Sequence, residues 1–305
     1  MKKSCLALLL LVTVSLTVSS SEISKETRTF ALKEGYSLQL DIYKSDKDSL
    51  QPCLIFVFGG GFKEGSRDQD KFLSYYNYFA NNGLTVVAID YRLGLKGEKN
   101  PPSVFNQKPL RKAIGIAVED LFSATAYLLS QAEALRIDTS QIIISGSSAG
   151  AMTVLQADYE RRNHMSSDTI LPSKFQYAGV IAFAGSIFST EGLPTYSVKP
   201  APTLFFHGSA DKLVPYNKIS FFNLGVFGSK QLARRFQKEK YPYLFYTMEG
   251  IGHDVATYPM NDFQPEIFKF IKDYVFEQQP LMVDVNYLDP NRETKTGMTP
   301  NEYYK

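Results

Sequence analysis

Along most of the chain, short apolar runs of four to seven residues alternate with longer stretches whose apolar residues recur at helical spacing. Residues 29–32 and 36–43 flank a Glu34-Gly35 turn and predict an antiparallel hairpin. Residues 54–58 are continuously apolar and end at Gly59-Gly60-Gly61, the pattern of a strand buried on both faces. Further strands are predicted over 84–90, 141–145, 177–183, 203–206 and 243–248. Helices are predicted over 72–82, stopped by Gly83 as a C-cap, and over 113–131, with Leu121, Tyr127 and Leu128 turned to a core. Others are expected over 149–159 and near 216–224, 230–238 and 263–278. This alternation predicts an α/β fold: a mostly parallel central sheet flanked by helices, with an antiparallel N-terminal edge. Residues 94–109, rich in Gly, Lys and Pro, read as a surface loop, and the polar stretch 161–174 as part of a rim or cap. Residues 280–305 hold Pro280, Pro290 and Pro300 and are expected to lie along the surface as a tail or to fray. No internal repeat or compositional break marks a second domain, so residues 21–279 are read as one domain.

The first twenty residues change the picture. Lys2 and Lys3 precede a nearly continuous apolar run over 6–14 and then small residues, the pattern of a secretory signal peptide. That run is short of the roughly 20 residues a membrane span needs. The expectation is a secreted or periplasmic protein with no stable membrane span. Removing the two lysines brings 33 basic residues down to the 31 acidic ones, so no basic field favours nucleic acid. Cys5 leaves with the signal, and Cys53, within an apolar run, becomes a lone core thiol that cannot form an intramolecular disulfide. No Cys and His set has metal-ligand spacing, and no metal or cofactor is expected.

The strongest chemical signal is Gly146-Ser147-Ser148-Ala149-Gly150, placed between a predicted strand and a predicted helix. A G-x-S-x-G turn in that setting lifts the hydroxyl of Ser148 out of the backbone at a helix N-terminus. Ser147 occupies the variable position and reads as a turn-stabilising hydroxyl. Serine needs a base to take its proton. Beyond the signal the chain offers His164, His207 and His253. His253 follows the late strand 243–248 in Gly250-Ile251-Gly252-His253-Asp254 and fits the nucleophile–acid–base order. His207 reads as support for a loop and His164 as solvated. The carboxylate that orients the base is read as Asp211, in the loop after 203–206, with Asp254 structuring its own loop. Backbone N–H donors must face the oxygen that gains charge, each worth roughly 3 kcal/mol in catalysis. Gly60 and Gly61, joined by the N–H of Ala149, are the candidate oxyanion donors.

Together these residues resemble the α/β-hydrolase superfamily, in the bacterial carboxylesterase and hormone-sensitive-lipase-like esterase branch. The resemblance is carried by Gly59-Gly60-Gly61-Phe62, Ala88-Ile89-Asp90-Tyr91-Arg92-Leu93, Glu119-Asp120-Leu121, Gly146 to Gly150, His207 to Pro215 and Gly252-His253-Asp254, in the family's order. It implies an α/β-hydrolase fold and a serine hydrolase of carboxylic esters working through Ser148, His253 and Asp211. It also implies structural roles for Asp90, Arg92 and Asp120, with Arg92 paired to a carboxylate beneath the site loops. One departure is Phe58, where the family usually has a His that braces the oxyanion loop; Phe58 is expected to brace it by packing.

Substrate identity is less legible. Phe62, Tyr75, Tyr76, Phe105, Phe188, Tyr196 and Tyr216 are available to line a pocket, although most aromatics in such a chain are core. The absence of a long amphipathic insert points to short acyl or aryl esters, either small molecules or groups linked to polysaccharide such as acetyl or feruloyl. A prolyl-oligopeptidase-type serine peptidase, an acyltransferase and a non-catalytic binding protein on the same scaffold remain the alternatives.

Overall fold

The computed structural model describes residues 23–45, 49–100, 102–103, 106–165, 170–293 and 297–304, so the segment read as a signal peptide lies outside the described residues. Strands β1 (Ile23–Lys33) and β2 (Tyr36–Ser45) form the expected hairpin, turning at Glu34 and Gly35, both with positive φ. The chain continues through β3 (Gln51–Val57), β4 (Thr85–Ile89), β5 (Ile137–Ser147), β6 (Gly179–Phe183), β7 (Ser186–Ser189), β8 (Thr203–Gly208), β9 (Lys218–Phe221), β10 (Leu224–Gly228), β11 (Tyr243–Met248) and β12 (Met282–Tyr287). Among the described residues, nine strands form one sheet in the order β1-β2-β4-β3-β5-β6-β8-β11-β12. β1 and β2 run antiparallel to their neighbours, and every pair from β4 onward is parallel.

Helices α1 (Leu73–Asn81), α2 (Lys108–Ser130), α3 (Ala132–Leu135), α4 (Ala149–Arg162), α5 (Ser229–Glu239), α6 (Pro259–Asp262) and α7 (Gln264–Phe270) fill the connections. Leu54, Ile55, Phe56 and Val57 of β3 alternate between the two faces of the sheet, yet all four are fully buried, so both faces are covered there. Helix α4 packs across β3, β5 and β6 and against α2. α2 is long and apolar enough to cross a membrane by length and composition, but most of it is buried in the fold. This is the architecture that the sequence pattern and the resemblance imply. Strand order reverses between β3 and β5, and the crevice at the carboxyl ends of the strands beside such a reversal is where wound sheets place ligands. The Gly59-Gly60-Gly61 loop leaves β3 there, and Ser148 leaves β5.

Three segments differ from expectation. Residues 216–224 do not form a helix; β9 and β10 make an antiparallel hairpin that joins β7 in a small sheet. The reason is visible in the alternation Lys218-Ile219-Ser220-Phe221, in the left-handed Phe222 (φ 50°) before Asn223, and in Gly225. A Cβ at Gly225 would stand 2.6 Å from the Ser220 side chain on the paired strand. Residues 280–305 do not simply lie along the surface. Residues 282–287 complete the central sheet as β12, where the Tyr243 hydroxyl donates to Asp284 (2.7 Å). Further on, α8 (Pro300–Tyr303) has Pro at its first turn and a capping box between Thr299 and Glu302. Finally, α4 extends to Arg162, because the buried Arg161 guanidinium donates to the carbonyls of Pro172, Ser173 and Phe175.

Under the site loops, Arg92 meets the expected carboxylate. Its Nη2 and Nε donate to Asp120 (2.8 and 3.0 Å), its backbone N–H donates to the same carboxylate (2.8 Å), and Glu119 accepts from Nη2 (2.9 Å). The Asp120 side chain has no exposure, so removing it leaves a nearly buried guanidinium short of its closest counter-charge. Asp120→Ala is expected to lower unfolding free energy by about 3 kcal/mol in urea titration, and a loss within experimental error would show the pair to be dispensable.

Candidate active site

The nucleophile turn is set by backbone crowding. A Cβ at Gly146 would lie 2.3 Å from the Gly150 carbonyl oxygen, and one at Gly150 would lie 2.0 Å from that of Val57. Only glycine fits at either position. Between them Ser148 is forced to φ 51° and ψ −115°, a strained conformation for a residue with a side chain. It is held by its N–H donating to Phe183 (2.8 Å), while its carbonyl accepts from Met152 and starts α4 (2.9 Å). Ser147 keeps the role read for it and adds a partner: its hydroxyl donates to the Ala256 carbonyl (2.6 Å), tying this turn to the turn of His253.

The base and acid arrive on adjoining loops. β8 and β11 are parallel neighbours, and their exits press together so closely that a Cβ at Gly208 would lie 2.2 Å from the Ile251 carbonyl. Ala210 N–H donates to Ile251 and Ser209 N–H to Met248, both at 3.0 Å. His253 Nε2 then sits 2.7 Å from Ser148 Oγ, and its Nδ1 sits 2.8 Å from Asp211 Oδ2. An ionised carboxylate only accepts, so Nδ1 carries the ring proton and Nε2 turns a lone pair toward the serine hydroxyl. Asp211, rather than Asp254, is the carboxylate on that ring nitrogen; the Asp254 carbonyl accepts from Thr257 and Tyr258 within the turn.

Asp211 is itself tightly held. Its Oδ1 accepts from the N–H groups of Leu213 (2.9 Å) and Val214 (3.0 Å). The buried His207 lies beneath it, Nε2 3.4 Å from Oδ2 and 3.2 Å from the Val214 carbonyl, with Nδ1 2.8 Å from the Ser229 hydroxyl. Burial by itself raises the Asp211 carboxyl, but hydrogen bonds from His207 and His253 outweigh it and hold the group well below the usual carboxylate range. His164 is exposed after α4. Cys53 is fully buried, and burial pushes its thiol up to about 12, which leaves it an inert core group. Among the described residues no group of three or more His, Cys, Asp or Glu could hold a metal ion.

The glycine loop after β3 lies against the nucleophile turn. A Cβ at Gly59 would be 3.1 Å from that of Ser148. Gly60 (φ 121°) and Gly61 (φ 60°) take backbone conformations open to glycine, and the Gly60 carbonyl accepts from the N–H groups of Lys63 and Glu64 (both 3.1 Å). Gly61 and Ala149 line the same cleft as Ser148, and Gly60 lies one residue back in the turn. Phe58 braces this loop by packing: its ring stacks on Tyr91 at 4.5 Å, and the Tyr91 hydroxyl donates to the Phe58 carbonyl (3.2 Å).

The cleft over Ser148 holds about 360 Å³ and is mainly apolar, with Phe62, Leu110, Met152 and Val214 among its walls. Of the aromatics considered from sequence, Phe62 lines it. Tyr75 and Tyr76 are core, with the Tyr75 hydroxyl on Ser145, and Tyr216 bonds Thr247. Phe188 lines a separate polar depression, Tyr196 packs edge-on against Tyr159 and Phe236, and Phe105 lies outside the described residues. Sequence reasoning missed the walls supplied by Ile219, Phe221 and Leu224 of the β9–β10 hairpin and by Tyr303 and Tyr304. Period-two alternation over 218–221 signals the hairpin, and Thr299-Pro300-Asn301-Glu302 carries a helix-start signature. Neither signal says where its segment docks.

Comparison with known proteins finds esterases among the similar chains. The family model BD-FAE matches residues 40–188. Gut esterase 1 of Caenorhabditis elegans is 30% identical over 145 residues, 47% of this chain and 24% of its own length. Ethyl acetate hydrolase of Pseudomonas putida is 28% identical over 133 residues, 43% of this chain and 35% of its own. The chain thus spans about a fifth to a third of the length of the curated relatives it matches. The apo form of Thermogutta terrifontis esterase 2 superposes with a TM-score of 0.60 at 23% identity, covering 86% of this chain and 96% of that one, and has the same fold.

The hold on Asp211 has a pH signature. A carboxylate whose pKa folding depresses stabilises fully above its unfolded value of about 4, and that contribution is lost as pH falls through the folded value. Urea unfolding of wild type and Asp211→Asn should therefore differ most above about pH 5 and converge as acid is added below about pH 4. A difference independent of pH would contradict the depressed carboxyl.

Proposed function

We propose that this chain, which has the α/β-hydrolase fold, is a serine esterase hydrolysing carboxylic esters. The observation that carries this is the unbroken relay from Ser148 Oγ through the two nitrogens of His253 to Asp211, at 2.7 and 2.8 Å. Ser148 Oγ attacks the acyl carbon while His253 Nε2 takes its proton. The negative oxygen of the tetrahedral intermediate accepts from the N–H groups of Gly60, Gly61 and Ala149. As the carbon–oxygen bond to the alcohol breaks, His253 returns the proton to the departing oxygen and leaves an acyl-serine. Water then attacks the same carbon, giving its proton to His253, and the acid departs as Ser148 regains a proton. Asp211 stabilises the imidazolium formed in each half and holds its tautomer between them.

Short acyl and aryl esters are the proposed substrates. A cleft of about 360 Å³ supports this, as does a relative named for ethyl acetate. The basic start and apolar run of residues 1–20 support export to the periplasm or beyond. Export favours an environmental ester, such as acetyl or feruloyl groups on polysaccharide.

Turnover of nitrophenyl esters from acetate to long acyl chains tests both parts. Rates should be highest with short chains. Ser148→Ala should lower kcat by on the order of 10⁴-fold or more, since a triad loses most of its effect with its nucleophile. A variant that retains most of the turnover would refute the nucleophile, and a preference for long chains would refute the substrate class.

A further inference from the structure

The turn at residues 299–304 reaches the site from far along the sequence and settles on the glycine loop. A Cβ built on Gly61 would stand 2.3 Å from Cε1 of Tyr303, so the tyrosine ring rests directly on the bare backbone there. Lys63 Nζ donates to the Tyr303 carbonyl (2.8 Å) and lies 4.9 Å from the ring centroid. The Tyr303 hydroxyl donates to Glu64 Oε1 (3.0 Å). Lys63 and Glu64 are the residues whose N–H groups close the turn on the Gly60 carbonyl. One residue therefore holds the face of Gly61 with its ring, Glu64 with its hydroxyl, and Lys63 with its carbonyl and the face of its ring. Elsewhere the loop is held by the stacking of Phe58 on Tyr91 and by hydrogen bonds to the carbonyls of Phe58 (3.2 Å) and Phe62 (2.9 Å), none of which bears on the face of Gly61.

We propose that Tyr303 is a positioning residue of the active site, clamping the Gly60–Gly61 loop so that its N–H groups stay aimed at the acyl oxygen. This rests on the esterase reading of Ser148. The purpose of such a clamp follows from the loop's composition. Consecutive glycines have the largest backbone freedom to lose, and an oxyanion donor works only if it is already aimed when charge develops. Tyr303 also lines the cleft over Ser148, but its positioning role is exerted through the donors it restricts.

The test compares Tyr303→Ala and Tyr303→Phe with wild type, with Ser148→Ala alongside, reading kcat and KM on nitrophenyl acetate and amide hydrogen exchange over residues 58–65. Tyr303→Ala is expected to lower kcat by on the order of tenfold or more with little change in KM, because misaimed donors cost transition-state rather than ground-state binding. Exchange in the glycine loop should quicken while the global unfolding midpoint stays in place. Tyr303→Phe keeps the ring on Gly61 and should recover most of kcat. An unchanged kcat with unchanged exchange in Tyr303→Ala overturns the clamp, and so does a rise in turnover, which would mark the turn as a plug. If wild type hydrolyses no ester, the esterase reading fails, and loop exchange still decides whether Tyr303 restrains the glycines.

Discussion

The site depends on how closely two backbones approach at the carboxyl ends of β3 and β5. Gly150 lies so near the Val57 and Phe58 carbonyls, and Gly59 so near Ser147 and Ser148, that side chains at those positions would overlap neighbouring atoms. This contact joins the glycine loop to the turn that bears the Ser148 hydroxyl. It also forces Ser148 into the left-handed region, a strain that persists because the sheet on both sides over-determines it. Little in that region can relax without separating the two halves of the site.

The second dependence is electrostatic. A buried carboxylate is costly unless its lone pairs are occupied, and Asp211 meets that requirement with two backbone N–H groups and two imidazoles. His253 is the partner that can turn toward a substrate, while His207 is locked between Ser229 and the Val214 carbonyl. The same residue type thus stands once between Ser148 and Asp211 and once as scaffold beneath them. The Ser147 to Ala256 hydrogen bond completes the arrangement by fastening the nucleophile turn to the histidine turn across 109 residues of sequence. The triad geometry is therefore held by backbone and buried side chains rather than by exposed surface loops.

Around this rigid centre the cleft walls come from local additions. The β9–β10 hairpin carries exposed Ile219 and Phe221 to one side, and the turn bearing Tyr303 and Tyr304 closes another. The small antiparallel sheet that anchors the hairpin is separate from the central one, and its exit at Ser229 meets His207 beneath Asp211.

Much of this was legible in the residues themselves. Buried strands are marked by continuous apolar runs, the nucleophile turn by two glycines around a serine between strand and helix, and the base and acid by their place after late strands. These features are local or ordered along the chain, so periodicity and spacing carry them. The segments 216–224 and 280–305 were misread for a shared reason. Their residues are polar or mixed, and their structure is chosen by a partner: β7 for the hairpin, β11 for β12, and the glycine loop for Tyr303. The sequence by itself determined the wound sheet and singled out the three side chains that the fold brings together, Ser148, His253 and Asp211, because burial patterns and turn geometry are properties of short stretches. Only the tertiary structure decided that His207 supports Asp211, that Tyr91 is the ring on which Phe58 packs, and that Tyr303 rests on Gly61, since each is a contact between surfaces that meet only after the sheet has closed.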